Sequence, residues 1–97
     1  MTLPRVDKPW LDHVRGLRCC LCASKTDVVP HHCRHIRGFG GIGLKPHDCL
    51  VVPACSICHE RIHHGFRGNE EAVVNDALIY LLMEYMERKF TEGGEGF

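Results

Sequence analysis

The sequence predicts an α+β fold in a single domain, on the evidence of its apolar periodicity and its paired cysteines. Apolar residues recur at helical spacing in 8–17 and 69–90, and short valine-rich runs occupy 28–33 and 50–54. Two Cys-x2-Cys pairs lie between these segments. Because 97 residues bury only a modest core, we expect a metal-bound staple to add stability to one domain spanning residues 1–97.

The two outer helices, predicted at either end of the chain, are supported by capping residues. Asp7 can cap the first, Pro9 suits its first turn, and Gly16 weakens its last turn. Asn69 can cap the second, whose apolar stripe packs onto the same domain or onto a partner. The stripe consists of Val73, Val74, Ala77, Leu78, Leu81, Leu82, Tyr85 and Met86.

The middle of the chain combines the two short strands with a loop and a short helix. Pro30 marks an edge or a bulge in the first strand. The glycine-rich stretch 37–43 predicts a loop that lies close to another group or is mobile, and it lacks the P-loop pattern. A short helix is predicted over 56–64, where Gly65 ends it.

Charge is unevenly distributed although the chain is neutral overall. Residues 1–67 hold ten Lys/Arg and five Asp/Glu, a net charge of +5, whereas residues 68–97 hold two and seven, a net charge of −5. The basic part suits a polyanion such as DNA, with an unevenly charged solvated surface as the alternative. No signal peptide and no membrane span is visible, so we predict an intracellular, cytoplasmic protein in which clustered thiols bind metal.

The paired cysteines predict a structural zinc site. Cys19 and Cys22 form one Cys-x2-Cys turn, and Cys55 and Cys58 form another, 32 residues further on. Cys20 could replace Cys19 only in a tighter arrangement, and four unrelated buried cysteines are the plainer alternative. Four thiolates leave no open coordination position, and such a site contributes on the order of 10 kcal/mol to folding. The two remaining cysteines are predicted to be small buried residues: Cys33 and Cys49.

Histidines form a second candidate cluster. His59 follows a zinc ligand directly, and His63 lies one helical turn later, so the two share a helix face. His31 and His32 lie between the cysteine pairs. A plainer interpretation makes His59 a zinc ligand in place of a cysteine and His63 a surface residue.

These motifs together resemble the HNH endonucleases, the ββα-metal (His-Me finger) family, and are most similar to phage and bacterial members with a zinc knuckle. The resemblance covers the motif core, residues 19–65, about half of the chain. It implies a small ββα-metal core with a four-cysteine zinc knuckle, flanked by N- and C-terminal helices. The residues that carry it are Cys19-x2-Cys22, His31-His32, Gly38, Lys45, Asp48, Pro53, Cys55-x2-Cys58-His59 and His63.

The resemblance also implies roles for individual residues. His31, His59 and His63 would bind the catalytic ion, and His32 would be the general base. Asp48 stands where the family often has Asn, and would orient the hairpin by hydrogen bonds. As a carboxylate it could instead touch the metal or polarise a histidine.

The implied cofactors are a structural Zn²⁺ and a catalytic divalent cation. A shell of imidazoles favours Mn²⁺ over Mg²⁺ and would also accept Ni²⁺ or Zn²⁺. Arg34 and Arg37 are candidates to clamp a substrate phosphate, or are simply solvated. One uncertainty concerns the hairpin, since adjacent strand residues point to opposite faces. If the strand is regular at His31 and His32, one of them is structural and their roles swap.

The function that follows is metal-dependent hydrolysis of DNA phosphodiester bonds. One site cuts one strand, so a monomer would nick duplex DNA, whereas a double-strand break needs a weak dimer or two visits. The alternatives are a zinc-knuckle adaptor that binds nucleic acid or protein without cleavage, and a domain whose C-terminal helix, 69–90, docks a protein partner.

Overall fold

Three helices and a two-stranded antiparallel sheet form the described part of the chain, residues 6–34 and 47–92 of a computed structural model. The α+β class is confirmed, and each predicted segment forms within two residues of its predicted bounds. The glycine-rich stretch 37–43 lies outside the described residues. In chain order the elements are α1 (Lys8–Arg15), β1 (Val28–His32), β2 (Val51–Cys55), α2 (Ser56–His63) and α3 (Glu70–Glu92).

α1 begins where its capping residue predicts and ends two residues before its predicted bound. The Asp7 carboxylate accepts a hydrogen bond from the Trp10 backbone N–H at 3.2 Å, and Gly16 is the C-cap of the helix. Helix α1 packs on both strands through its buried residues, Trp10 and Val14. His13 is half-buried, and its Nε2 lies 2.9 Å from Oε2 of Glu84, which joins α1 to α3.

The sheet pairs β1 with β2 from Val28 opposite Cys55 to His32 opposite Val51. Pro30 lies opposite Pro53, and a two-stranded sheet tolerates this because each strand is an edge with a free side. The carbonyl of Pro53 accepts from the Cys20 backbone N–H at 2.9 Å. The loop that carries the first cysteine pair is thereby held against β2.

α3 packs onto the same domain through its predicted stripe, which closes the core over the fully buried strand β2. Met86 departs from the prediction, since 38% of its surface is exposed although it belongs to the apolar periodicity. Within residues 6–34 and 47–92, no helix combines the length and apolar character that crossing a membrane requires. The buried residues of α3 are Val74, Leu78, Leu81 and Tyr85.

Candidate metal centres and the histidine groove

The two Cys-x2-Cys pairs come together at one point. One Sγ atom from each of Cys19, Cys22, Cys55 and Cys58 lies within 4.8 Å of the others. The Cys22 and Cys55 Sγ atoms are 3.7 Å apart. A tetrahedral zinc site with Zn–S bonds of about 2.3 Å has sulfur–sulfur edges of about 3.8 Å. The four cysteines therefore fit a metal ion of this kind, at the positions that the spacing predicted.

The other three cysteines lie outside this cluster. Cys33 and Cys49 are buried in the main core, as predicted. Cys20 is half-buried against that core, and burial raises the pKa of its thiol to about 11. The prediction that Cys19 rather than Cys20 joins the cluster thus agrees with the geometry.

Each cysteine pair is shaped by its own backbone. Cys55 ends β2 and caps α2, where its Sγ accepts from the Cys58 backbone N–H at 3.5 Å. In the first turn the Ala23 N–H donates to the Cys19 carbonyl at 2.9 Å. Ala23 has a φ of 64°, a left-handed conformation that favours glycine. The first turn is therefore closed at the expense of a strained alanine.

The sulfurs of the cluster repel one another when ionised, and a bound cation would relieve this repulsion. Burial acts to raise the pKa of Cys19, but hydrogen bonds from the Cys55, Cys22 and Leu21 backbone outweigh it and lower that pKa to about 7. Burial and the neighbouring sulfurs raise the pKa of Cys58 to about 12. Four adjacent thiols thus cannot all ionise alone, whereas a divalent cation would offset the repulsion among four thiolates.

Relieving the strain at Ala23 should stabilise the protein. We expect Ala23→Gly to raise the free energy of unfolding by about 0.5–1 kcal/mol, because glycine adopts the left-handed conformation without a Cβ clash. Urea denaturation of the zinc-loaded protein would measure this. Ala72→Gly, at an exposed position in α3, is the matched control and should instead destabilise by up to about 1 kcal/mol. Equal destabilisation by both substitutions would contradict the strain at Ala23.

Three histidines form a second cluster beside the first. One ring nitrogen from each of His31, His59 and His63 lies within 4.8 Å of the others. The ring centroids of His59 and His63, one turn apart on α2, are 4.4 Å apart, and that of His31 on β1 is 5.1 Å from His59. His31 is buried, whereas His63 is exposed to solvent. The cluster therefore has a closed inner side and an open outer side.

α2 is held at both ends, which fixes the direction of its histidines. The cysteine cluster holds its first turn. Near its C-terminus, Arg61 Nη1 donates to Glu70 Oε1 at 2.8 Å, and the Arg67 backbone N–H donates to the same oxygen at 2.8 Å. The Glu70 carboxylate raises the pKa of Arg61 above its usual value. Arg61 therefore ties α2 to α3 and is engaged in that ion pair.

His32 has a different partner from its neighbour His31. Its Nε2 lies 3.0 Å from Oδ1 of Asp48, a carboxylate that is only 2% exposed. The other oxygen, Oδ2, accepts from the Asp7 backbone N–H at 2.8 Å. Of the arrangements that the sequence left open for Asp48, the geometry matches contact with a histidine, and Asp48 is not among the three clustered ligands.

One groove brings the two sets of histidines together. It has a volume of about 610 Å³ and lies among α1, β1 and α2. His32 lines it alongside His59 and His63. His31, its neighbour on the regularly paired strand β1, is buried against the rings of His59 and His63 and does not line the groove. The lining residues are Leu11, Arg15, Val29, Pro30, His32, Ser56, His59, Glu60 and His63.

Arg15 is a groove residue that the sequence analysis missed. Its side chain is about half exposed, and its Nη1 lies 2.8 Å from Oδ1 of Asp12. Leu11 and Arg15 are four residues apart on α1 and so share the face towards the groove. That spacing would have identified Arg15 once α1 was known to form a wall. Of the predicted phosphate contacts, Arg34 is exposed just after β1, and Arg37 lies outside the described residues.

The electrostatics of the groove favour a neutral imidazole at His59. Burial, and then the charge on His63, lower the pKa of His59, while Glu60 acts in the opposite direction. A neutral imidazole is the form that binds a metal ion. His59 is therefore suited to act as a metal ligand.

Comparison with known proteins assigns the chain to a family. Residues 4–93 match a family described as a protein of unknown function, DUF968. The uncharacterized protein YdfU of Escherichia coli (strain K12) is 27% identical over 97 residues, which cover 96% of this chain and 27% of YdfU. The chain thus spans about a quarter of the length of that curated relative. No solved structure matches at a significant level. Because the match extends over most of its length, this chain belongs to the DUF968 family.

Proposed function

We propose that this protein is a metal-dependent endonuclease that hydrolyses DNA phosphodiester bonds. The observation that carries the proposal is the meeting of three histidine nitrogens within 4.8 Å, two of them from His59 and His63, which line one open groove together with the Asp48-bound His32. A cation site alone would suit a structural or regulatory role. A cation site next to a carboxylate-bound histidine supplies the two groups that phosphodiester hydrolysis needs, a charge stabiliser and a base.

The residues present fit a divalent cation in the histidine cluster. Three imidazoles at about 2.1 Å from an ion place their nitrogens roughly 3.4 Å apart, so small side-chain movements would close the cluster. Nitrogen ligands favour Mn²⁺ over Mg²⁺ and accept Ni²⁺ or Zn²⁺. When bound, the cation would stabilise the negative charge that develops on the leaving 3′ oxygen. His31, His59 and His63 would hold it, leaving positions open on the solvent side.

The His32–Asp48 pair supports the role of His32 as the general base. Since Asp48 is an acceptor, it holds the tautomer of His32 that carries its proton on Nε2. The lone pair on Nδ1 is then available to take a proton from the attacking water. The carboxylate would also stabilise the imidazolium that forms.

Binding of the substrate is attributed to the basic residues around the groove. The Arg15 guanidinium lies on the α1 wall, where it can contact a phosphate beside the scissile one. The net charge of +5 on residues 1–67 would attract DNA without regard to its sequence. The cysteine cluster, with a structural zinc, would hold α2 in place. One groove per chain supports nicking of duplex DNA by a monomer.

Cleavage of supercoiled plasmid with Mn²⁺ or Mg²⁺ tests the proposal. We expect wild type to convert the plasmid to the nicked form, and His63→Ala to lose activity by about 10- to 100-fold. His64→Ala is the matched control, because it removes the adjacent exposed imidazole outside the cluster and should cleave like wild type. If the wild-type protein fails to cut the plasmid with any of Mn²⁺, Mg²⁺, Ni²⁺ and Zn²⁺, the proposal of endonuclease activity is wrong. If the protein still retained DNA on a gel, a non-catalytic zinc-knuckle adaptor would take its place.

A further inference from the structure

Asp7 lies where the N-terminus of α1, the residues before β2 and the long helix α3 meet. Asp7 is buried, with 6% of its surface exposed. Its carboxylate accepts hydrogen bonds from three donors. These are the Trp10 backbone N–H at 3.2 Å, the Tyr85 hydroxyl at 2.8 Å and the Lys89 ammonium at 2.8 Å. A buried charge with this many partners has a defined position.

The backbone of Asp7 extends this network towards the groove. Its N–H donates to Oδ2 of Asp48 at 2.8 Å, and Oδ1 of Asp48 lies 3.0 Å from Nε2 of His32. A continuous path of hydrogen bonds therefore runs from Tyr85 on α3, through Asp7 and Asp48, to His32. Tyr85 and Asp7 are 78 residues apart in the chain.

We propose that Asp7 and Tyr85 are positioning residues for His32, so that α3 helps to set the geometry of the groove. This inference rests on the endonuclease proposed above, and it assigns to α3 a role beyond core packing. Asp48 links His32 to this network, and its second oxygen is held by the main chain of Asp7. Movement of Asp7 would therefore turn the Asp48 carboxylate and release the ring of His32.

Charge supports the same arrangement. Asp7 and Asp48 are both buried acids, joined through the Asp7 backbone N–H, and burial of two acids in one region is ordinarily unfavourable. Lys89 supplies a cation and Tyr85 a hydroxyl donor at the Asp7 end. Both donors come from the last turns of α3, so the position of that helix determines whether the two acids remain in place.

The first experiment compares two tyrosines of the same helix in the plasmid assay. Tyr85→Phe removes the hydroxyl that holds Asp7, and should lower kcat by about 10-fold with KM and zinc content unchanged. Tyr80→Phe removes a hydroxyl from a residue that is 75% exposed and should leave both constants unchanged. A purely structural role for Tyr85 would lower the amount of folded protein, and with it zinc content and active fraction, rather than kcat per folded molecule. Equal kcat in wild type and Tyr85→Phe would overturn the inference.

The second experiment reads His32 without relying on activity. Long-range ¹H–¹⁵N spectra of the zinc-loaded protein should show the His32 ring of wild type and Tyr80→Phe as the Nε2–H tautomer. In Tyr85→Phe the ¹⁵N chemical shifts of the two His32 ring nitrogens should move towards the values of a mixture of tautomers. If Tyr85→Phe does not fold, Lys89→Met takes its place. This substitution, at a partly exposed position, removes the other contact between α3 and the Asp7 carboxylate and should move the His32 chemical shifts in the same direction. Unchanged His32 nitrogens in both variants would refute the positioning role. Absence of cleavage by wild type would refute only the proposed function.

Discussion

Cys22→Ser should leave the protein without a cooperative unfolding transition at 25 °C, even though Cys22 is the exposed member of its cluster. Judged by burial alone, serine at an exposed position changes stability very little. If the four cysteines hold zinc, however, the substitution removes one of the thiolates that close the shell. Zinc binding of this kind is comparable to the entire stability of a small domain. A large effect at an exposed residue would thus be evidence for the metal itself.

Cys20→Ala is the control for this prediction. Burial alone predicts that substituting Cys20 is the more destabilising change, whereas metal binding predicts that substituting Cys22 is. Cys20 is more buried than Cys22 but lies outside the cluster. We expect it to retain a cooperative urea transition and one zinc per chain by native mass spectrometry. A Cys22→Ser protein that unfolds at the same urea concentration as wild type would contradict the zinc site, and loss of zinc from Cys20→Ala would contradict the choice of ligands.

Features determined by neighbours in the sequence were predictable. The Cys-x2-Cys turns and the His59–His63 pair depend on spacing within one turn, and each came out where the spacing placed it. α1 and α3 carry their own caps and periodicity, so their existence followed from the chain. Their ends shifted by up to two residues, because Gly16 and the last turn of α3 depend on local hydrogen bonding.

Contacts between distant segments that share no metal-binding motif were not predictable. No local pattern connects Asp7 with Tyr85, and the sequence predicted only a helix-capping role for Asp7. Arg15 became a groove residue only because α1 packs against the hairpin. Met86 fits the apolar period of α3, yet 38% of its surface stays exposed while its neighbour Tyr85 is fully buried. In each case the outcome depends on which surfaces pack together in the fold. Short-range patterns in a single sequence do not specify this packing.

His32→Ala should lower the rate of DNA cleavage by about 10²- to 10⁴-fold, the usual contribution of a general base. The three proposed metal ligands remain, so binding of Mn²⁺, followed by electron paramagnetic resonance, should be unchanged. His47→Ala removes a half-buried imidazole beside Asp48 and serves as the control, with activity close to wild type. A His32→Ala protein that cleaves as fast as wild type would remove His32 from the chemistry and reopen the choice between His31 and His32.

Asp48→Asn is the more discriminating variant, because the predicted resemblance to the HNH endonucleases implies that Asn would be acceptable at this position. By that resemblance alone the substitution would be harmless. Here, however, Asp48 accepts two hydrogen bonds, from His32 on one oxygen and from the Asp7 backbone on the other. Asparagine has one acceptor oxygen, so its amide would face either the Asp7 N–H or Nε2 of His32. The second outcome forces the proton of His32 onto Nδ1 and removes the lone pair that the proposed general base would use.

We therefore expect Asp48→Asn to lower kcat by about 10²- to 10⁴-fold while leaving zinc content and Mn²⁺ binding unchanged. The same ring-nitrogen spectra would show whether His32 changes tautomer. Full activity in Asp48→Asn would mean that the carboxylate is dispensable and that Asp48 only orients the hairpin. A loss of activity would instead show that this chain has coupled a carboxylate to its base, and that the departure from Asn is part of how the groove works.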